Sequence, residues 1–344
     1  MRLEDLSLEE KAAQLIFARL GSNMPPPVRV SEDIDRFSAL LDDVPLGGLI
    51  IFNGSYPETP RALEVLQKRS KTPLLVTADM ERGVGQQIRG ATVFPHAMAF
   101  SAAGKEMLAR AARVQAREAL ACGVHVTFSP VADVNRDPRN PIIATRAFGT
   151  DPEESAALVR TFIRGCRTEG LLTTAKHFPG HGNTSRDSHE EMPVVESSRN
   201  ELTEYDLLPF AAAVDEGVDL IMTAHVLFPA LDPNHPATLS EKILRGLLRE
   251  EMGYTGAVVT DSLLMGAISR SHADPGLQAA ALVKAGVDIL LDVPDPGAAW
   301  KGIVHAVEEG SLEPGLVDEA AGRVLALKQR LAARFGPDVF TTFP

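Results

Sequence analysis

Between residues 176 and 189 the chain reads KHFPGHGNTSRDSH, which packs three of its nine histidines, a lysine and an aspartate into a short stretch. Such a set has several chemical uses. His177 and His181 have the four-residue spacing of a helical zinc pair, but Pro179 and Gly180 between them break the helix that such a pair needs. A barrel metallohydrolase could still gather His177, His181, His189, His225 and Asp261 around one metal from several strand ends. A different use follows from Asp187, two residues before His189. In an extended or turning segment the two side chains can point the same way, and the carboxylate then orients the imidazole and favours its protonated, proton-donating form. The ordinary use of these residues is a surface loop closed by an Asx turn.

More charge sits at the ends of apolar runs. Asp79 closes PLLVTAD, Lys176 and His177 fall within LLTTAKHF, His225 closes LIMTAH and Asp261 closes GAVVTD. A single charge of this kind is commonly a loop cap. Several converging on one mouth read as a site, because unpaired buried charge is costly and stability alone favours apolar residues there. Other motifs fall short. Gly83-Val84-Gly85 hints at a dinucleotide fingerprint but has Ile88 where the third glycine belongs, and there is no G-x-S-x-G elbow or phosphate loop. No residue implies a cofactor.

The elements that must carry these side chains alternate. Ser7 to Glu10 forms a capping box, followed by Ala12, Leu15 and Ile16 at helical spacing. Asp151, Pro152 and Glu154 start another helix, which Gly170 stops. Short β-branched runs at 47–52, 73–79, 124–130, 171–178, 220–225, 256–261 and 287–292 read as buried parallel strands, with an eighth expected at MPVVE, 192–196. The pattern predicts an α/β fold, a single (β/α)8 barrel over residues 1–344, rather than an open doubly wound sheet. The long polar loops 132–146, 179–199 and 226–238 all follow strands, on the face where barrels build active sites.

Composition narrows the partners. A net charge of -12 opposes binding to nucleic acid, whose affinity comes largely from lysine and arginine on phosphates. Cys122 and Cys166 are isolated, as in a reducing compartment. The start, MRLEDLSLEEKAAQLIF, is acidic where a signal peptide is basic, and no run of about 18 apolar residues occurs, so the expectation is a soluble cytoplasmic protein without a membrane span.

KHFPGHGNTSRDSH together with VVTDSLLM at 258–265 resembles the family 3 glycoside hydrolases, in their bacterial β-N-acetylglucosaminidase branch. The likeness extends over LSLEEKAAQLI, VTADMERGVGQQ, TRAFGTDPEE and MTAHVLFPALDP. It implies a retaining mechanism on one barrel, with Asp261 as nucleophile, His189 as acid/base and Asp187 as its partner. It also implies that Asp79, Arg146, Lys176 and His177 bind the hydroxyls of the terminal sugar, with His225 lining the site. Many relatives place an arginine where this chain has Gln87, eight residues after Asp79, which bears on fine substrate contacts. The implied activity is exo-hydrolysis of β-linked N-acetylglucosamine from small saccharides such as peptidoglycan fragments. Its rivals are a β-glucosidase, a phosphorylase, since a histidine acid/base does not repel incoming phosphate, and a sugar-binding protein on a barrel without activity.

Overall fold

A computed structural model of the chain describes residues 2–184, 192–265 and 274–343. Eight parallel strands form its centre: β1 (Ile16–Leu20), β2 (Gly48–Ile51), β3 (Leu75–Ala78), β4 (Val126–Thr127), β5 (Leu172–Phe178), β6 (Leu220–Thr223), β7 (Ala257–Thr260) and β8 (Leu290–Leu291). Each pairs with the next in chain order from β1 to β7, and β8 pairs with β1 through Ile16↔Leu290 and Phe17↔Leu291. Between β7 and β8 the ladder narrows to the bridge Val259↔Ile289, where the Thr260 N–H donates to the Ile289 carbonyl at 3.0 Å. The sheet thus curls into a (β/α)8 barrel.

Apolar side chains on both strand faces fit this arrangement. Strands β2, β3, β5, β6 and β7 are buried at every position, as expected of parallel strands covered on both sides. Inward residues such as Phe17, Ile50, Leu75, Phe128, Leu220 and Val259 fill the interior, and the outward ones pack against the surrounding helices. The last long helix, Pro314–Phe335, closes the bottom of the barrel with Val324, Leu327 and Leu331, which join the same interior cluster. No helix among the described residues is long and apolar enough to cross a membrane.

Local signals behave as the sequence implies. Ser7 and Glu10 form a reciprocal capping box on Leu8–Gln14, and the Asp151 side chain accepts from the Glu154 N–H to start Pro152–Glu169. That helix stops at Gly170, whose φ of 98° suits a residue without Cβ. One expectation fails: the eighth strand is Ile16–Leu20, not MPVVE. The first helix ends at Gln14, and the chain then extends because its backbone finds ladders on both sides, β2 and β8. Helical spacing of Leu15 and Ile16 concealed this change. Of MPVVE, only Val194 forms a bridge, to Leu227, in the long loop after β6.

Candidate active site

The charged residues lie on one rim, at the C-terminal ends of the strands. Asp79 follows β3, Lys176 and His177 belong to the end of β5, His225 stands two residues beyond β6, and Asp261 follows β7. Lys176 Nζ lies 2.7 Å from Asp79 Oδ1 and 2.8 Å from Glu81 Oε1. Arg146 reaches the same glutamate as a fork, with Nε 2.8 Å from Oε2 and an Nη 2.7 Å from Oε1. Burial pushes the Glu81 carboxyl up, but Lys176 and Arg146 outweigh it and hold the group well below the usual carboxylate range. Burial likewise pulls Lys176 down, and Asp79 and Glu81 more than offset this, so it stays charged. These buried charges are tolerable because each has a partner.

His177 is fixed from behind. Its Nδ1 stands 2.7 Å from Asp133 Oδ2, which also accepts the His177 backbone N–H at 3.1 Å. A carboxylate at Nδ1 calls for a hydrogen there, which turns Nε2 toward Arg146, at 3.4 Å, and toward Asp261 Oδ2, at 3.9 Å. The other Asp133 oxygen takes the His181 N–H at 2.6 Å. His181 Nδ1 in turn meets the Thr184 hydroxyl at 2.8 Å, and burial, reinforced by His177, lowers its pKa so that the ring is neutral. Gly182 is required next: a Cβ there would lie 1.8 Å from the Val134 carbonyl oxygen.

Asp261 occupies the centre of the rim with its side chain 22% exposed. Its Oδ1 accepts the Ser262 N–H at 2.7 Å. Burial pushes this carboxyl up, yet His177, His225, Lys176 and the Ser262 N–H together keep it below its ordinary value, hence ionised. An ionised, partly open carboxylate near the Lys176 ammonium can act as a nucleophile or stabilise positive charge at a neighbouring carbon. His225 differs from the sequence expectation that it lines the site. Its Nε2 donates to the Ser262 carbonyl at 3.2 Å, its Nδ1 meets the Thr238 hydroxyl at 2.8 Å, and it is 1% exposed, so it props the segment after Asp261.

The structure therefore brings together Asp79, Arg146, Lys176, His177 and Asp261. Asp187 and His189 lie outside the described residues. Among the described residues, no three histidine, cysteine, aspartate or glutamate side chains stand close enough together to hold a metal ion. Three residues that brace this rim escaped sequence reasoning: Glu81, Asp133 and Asp292, whose Oδ2 accepts the Ser262 hydroxyl at 2.6 Å. Asp292 carried the same signal as Asp79 and Asp261, a carboxylate at the end of an apolar run; Glu81 and Asp133 sit in loops whose partners are distant in sequence. Gln87 is nearly buried, and its Oε1 accepts from Asn23 Nδ2 at 3.1 Å.

Residues 7–327 match the glycosyl hydrolase family 3 N-terminal domain. The chain belongs to glycosyl hydrolase family 3. It is 37% identical over 276 residues to a β-hexosaminidase of Methylococcus capsulatus, covering 78% of this chain and 81% of that protein. It is 30% identical to a β-N-acetylglucosaminidase/β-glucosidase of Cellulomonas fimi, covering 98% of this chain and 60% of that protein. Among solved structures, the family 3 β-N-acetylglucosaminidase of Paenibacillus sp. str. FPU-7 superposes with a TM-score of 0.89 at 38% identity, over 96% of this chain and 64% of that one. A β-glucoside phosphorylase bound to 2FGlc also gives 0.89, at 28% identity, over 98% of this chain and 61% of its own. The chain thus spans less than two thirds of the length of several of the proteins that it resembles.

Proposed function

We propose that this chain is a retaining exo-β-N-acetylglucosaminidase, one catalytic barrel that removes terminal N-acetylglucosamine from small saccharides. The observation that carries the reading is Asp261: ionised, partly open, and turned by one oxygen toward His177 at the centre of a rim of paired charges. In this reading Asp261 attacks the anomeric carbon and forms a glycosyl-aspartate. Asp79, Arg146, Lys176 and His177 hold the sugar hydroxyls by charge-assisted hydrogen bonds, which orient the ring for in-line attack. His189, oriented by Asp187, protonates the leaving oxygen and then activates water; these two roles rest on the sequence likeness. The preference for the N-acetyl sugar is supported by the relatives in Methylococcus capsulatus and Paenibacillus. Cell-wall fragments as substrate rest on the same likeness, and a cytoplasmic setting on two buried, unpaired cysteines.

A second reading is phosphorolysis, favoured by the close superposition on a β-glucoside phosphorylase. Phosphate would then replace water in the second step. The deciding experiment follows phenolate release from aryl β-N-acetylglucosaminide and aryl β-glucoside by wild type and Asp261→Asn, with and without phosphate. Release of free N-acetylglucosamine by wild type alone supports the hydrolase. Sugar 1-phosphate as the main product overturns it, and tight binding of every glycoside without turnover would leave a sugar-binding protein.

A further inference from the structure

Two carboxylate oxygens of a nucleophile are chemically equivalent until the protein makes them different. At Asp261 the difference is built by its neighbour. The Ser262 N–H binds Oδ1 at 2.7 Å, and the peptide unit that follows is gripped at its carbonyl by His225 Nε2, at 3.2 Å. The Ser262 hydroxyl donates to Asp292 Oδ2 at 2.6 Å and accepts from the Leu264 N–H at 3.3 Å. Asp292 is itself held: Arg19 donates from Nε to Oδ1 at 2.8 Å and from an Nη to Oδ2, and the Asp292 N–H donates to the Phe17 carbonyl at 2.9 Å. The Arg19 guanidinium lies 4.6 Å from the centre of the Phe52 ring, which fixes its plane.

Two features suggest more than strand-end cohesion. Asp292 is 1% exposed, and its φ is 58°, a left-handed conformation that aspartate tolerates better than most side chains. The left-handed turn and the Arg19 fork hold its carboxylate against the serine beside Asp261. The chain of contacts links three strand ends, β1, β8 and β7, to a single oxygen of one residue.

We propose that Ser262 and Asp292 are positioning residues which tether Oδ1 of Asp261 and leave Oδ2, the oxygen facing His177, as the attacking atom. This rests on Asp261 being the nucleophile. Oδ2 forms the bond to the anomeric carbon, the electron pair of the glycosidic C–O bond leaves with the aglycone oxygen, and that oxygen takes its proton from the acid residue. Neither Ser262 nor Asp292 bonds to the sugar. Their effect is confined to the angle and reach of Oδ2, so it falls on the chemical step rather than on binding.

The test compares wild type, Ser262→Ala, Asp292→Asn, the double variant and Ser262→Thr on an aryl β-N-acetylglucosaminide, recording kcat, KM and melting temperature. Ser262→Ala should lower kcat by about tenfold while KM stays within about twofold, since a small misplacement costs rate without costing affinity. Ser262→Thr, which keeps the hydroxyl, should recover most of that loss. The double variant should be no slower than the slower single variant, because both act through one tether. Losses that multiply in the double variant, a rise in KM alone, or a normal kcat in Ser262→Ala would overturn the proposal. Should Asp292→Asn fail to fold, the alanine and threonine pair at position 262 decides the matter alone. Asp261→Gly, assayed with and without azide, separates the premise from the proposal: azide-restored release of phenolate establishes the nucleophile, whereas undiminished activity without azide removes the nucleophile reading and the tether with it.

Discussion

Asp133 grips His177 twice, at the backbone N–H and at ring Nδ1, while its second oxygen holds the N–H of His181. One buried carboxylate therefore sets both the tautomer of the ring beside Asp261 and the shape of the turn that follows β5. Burial raises the Asp133 carboxyl, but His177 and His181 overcome this and keep it below the usual value, so it is ionised when it does so.

Asp133→Asn should separate these duties. An amide can still accept the His181 N–H, but its NH2 group faces Nδ1–H and forces the ring hydrogen to Nε2, toward Arg146. The expected result is a fall in kcat/KM of about 100-fold, the scale of a misplaced site residue. Stability should drop by about 1–3 kcal/mol, the cost of a buried group left unpaired. Steady-state kinetics and urea denaturation measure both, and full activity in this variant would refute the tautomer argument.

The acid role proposed for His189 has its own signature. A poor leaving group needs a proton in the transition state, whereas an activated phenolate does not. His189→Ala should lose about 10²–10⁴-fold on a natural disaccharide and far less on an activated aryl glycoside, with Asp187→Ala following the same trend. Equal losses on the two substrates would assign His189 to something other than proton transfer.

Much of this is legible in the sequence itself. Seven strands announced themselves because a doubly covered parallel strand has to be apolar on both faces. Strand β1 did not, since Leu15 and Ile16 continued a helical pattern and Arg19 interrupts the apolar run; only the fold shows Arg19 reaching Asp292, 273 residues away. The same physics divides the site. Asp79, Lys176, His177 and Asp261 stood out as charges ending apolar runs. Glu81 and Asp133 did not, because what marks them is the cation or ring they meet from neighbouring strand ends, 44 residues or more away in the chain, and local sequence carries no trace of that meeting.

Gly182 offers a test of how tightly that site is braced. Its missing Cβ makes room for the Val134 carbonyl, so Gly182→Ala must push apart the turn after β5 and the loop after β4. Loss of about 1–3 kcal/mol is expected, together with reduced activity, because His177 lies at the end of the strand that leads into that turn and Asp133 lies in that loop. Gly149→Ala, where a Cβ would meet nothing within 4 Å, is the control and should change stability by less than about 0.5 kcal/mol. Matching melting temperatures for the two variants would show that the turn yields freely.

Far from the site, Lys328 on the closing helix is buried with Gln14 Oε1, 2.6 Å away, as a neutral hydrogen-bond partner. Burial lowers its pKa to about 7 from an ordinary 10.5. Between those values the unfolded chain binds a proton that the folded chain does not, so stability should rise with pH through this window, by up to about 1.4 kcal/mol per unit. Below about pH 7 the ammonium is held in both states, and the full cost of burying it is felt. Lys328→Met should therefore be more stable than wild type at pH 6, despite leaving Gln14 without this donor, and the gap should close toward pH 10. Urea denaturation of both proteins at pH 6, 8 and 9.5 tests this, and parallel pH profiles would mean that the lysine is solvated within the fold.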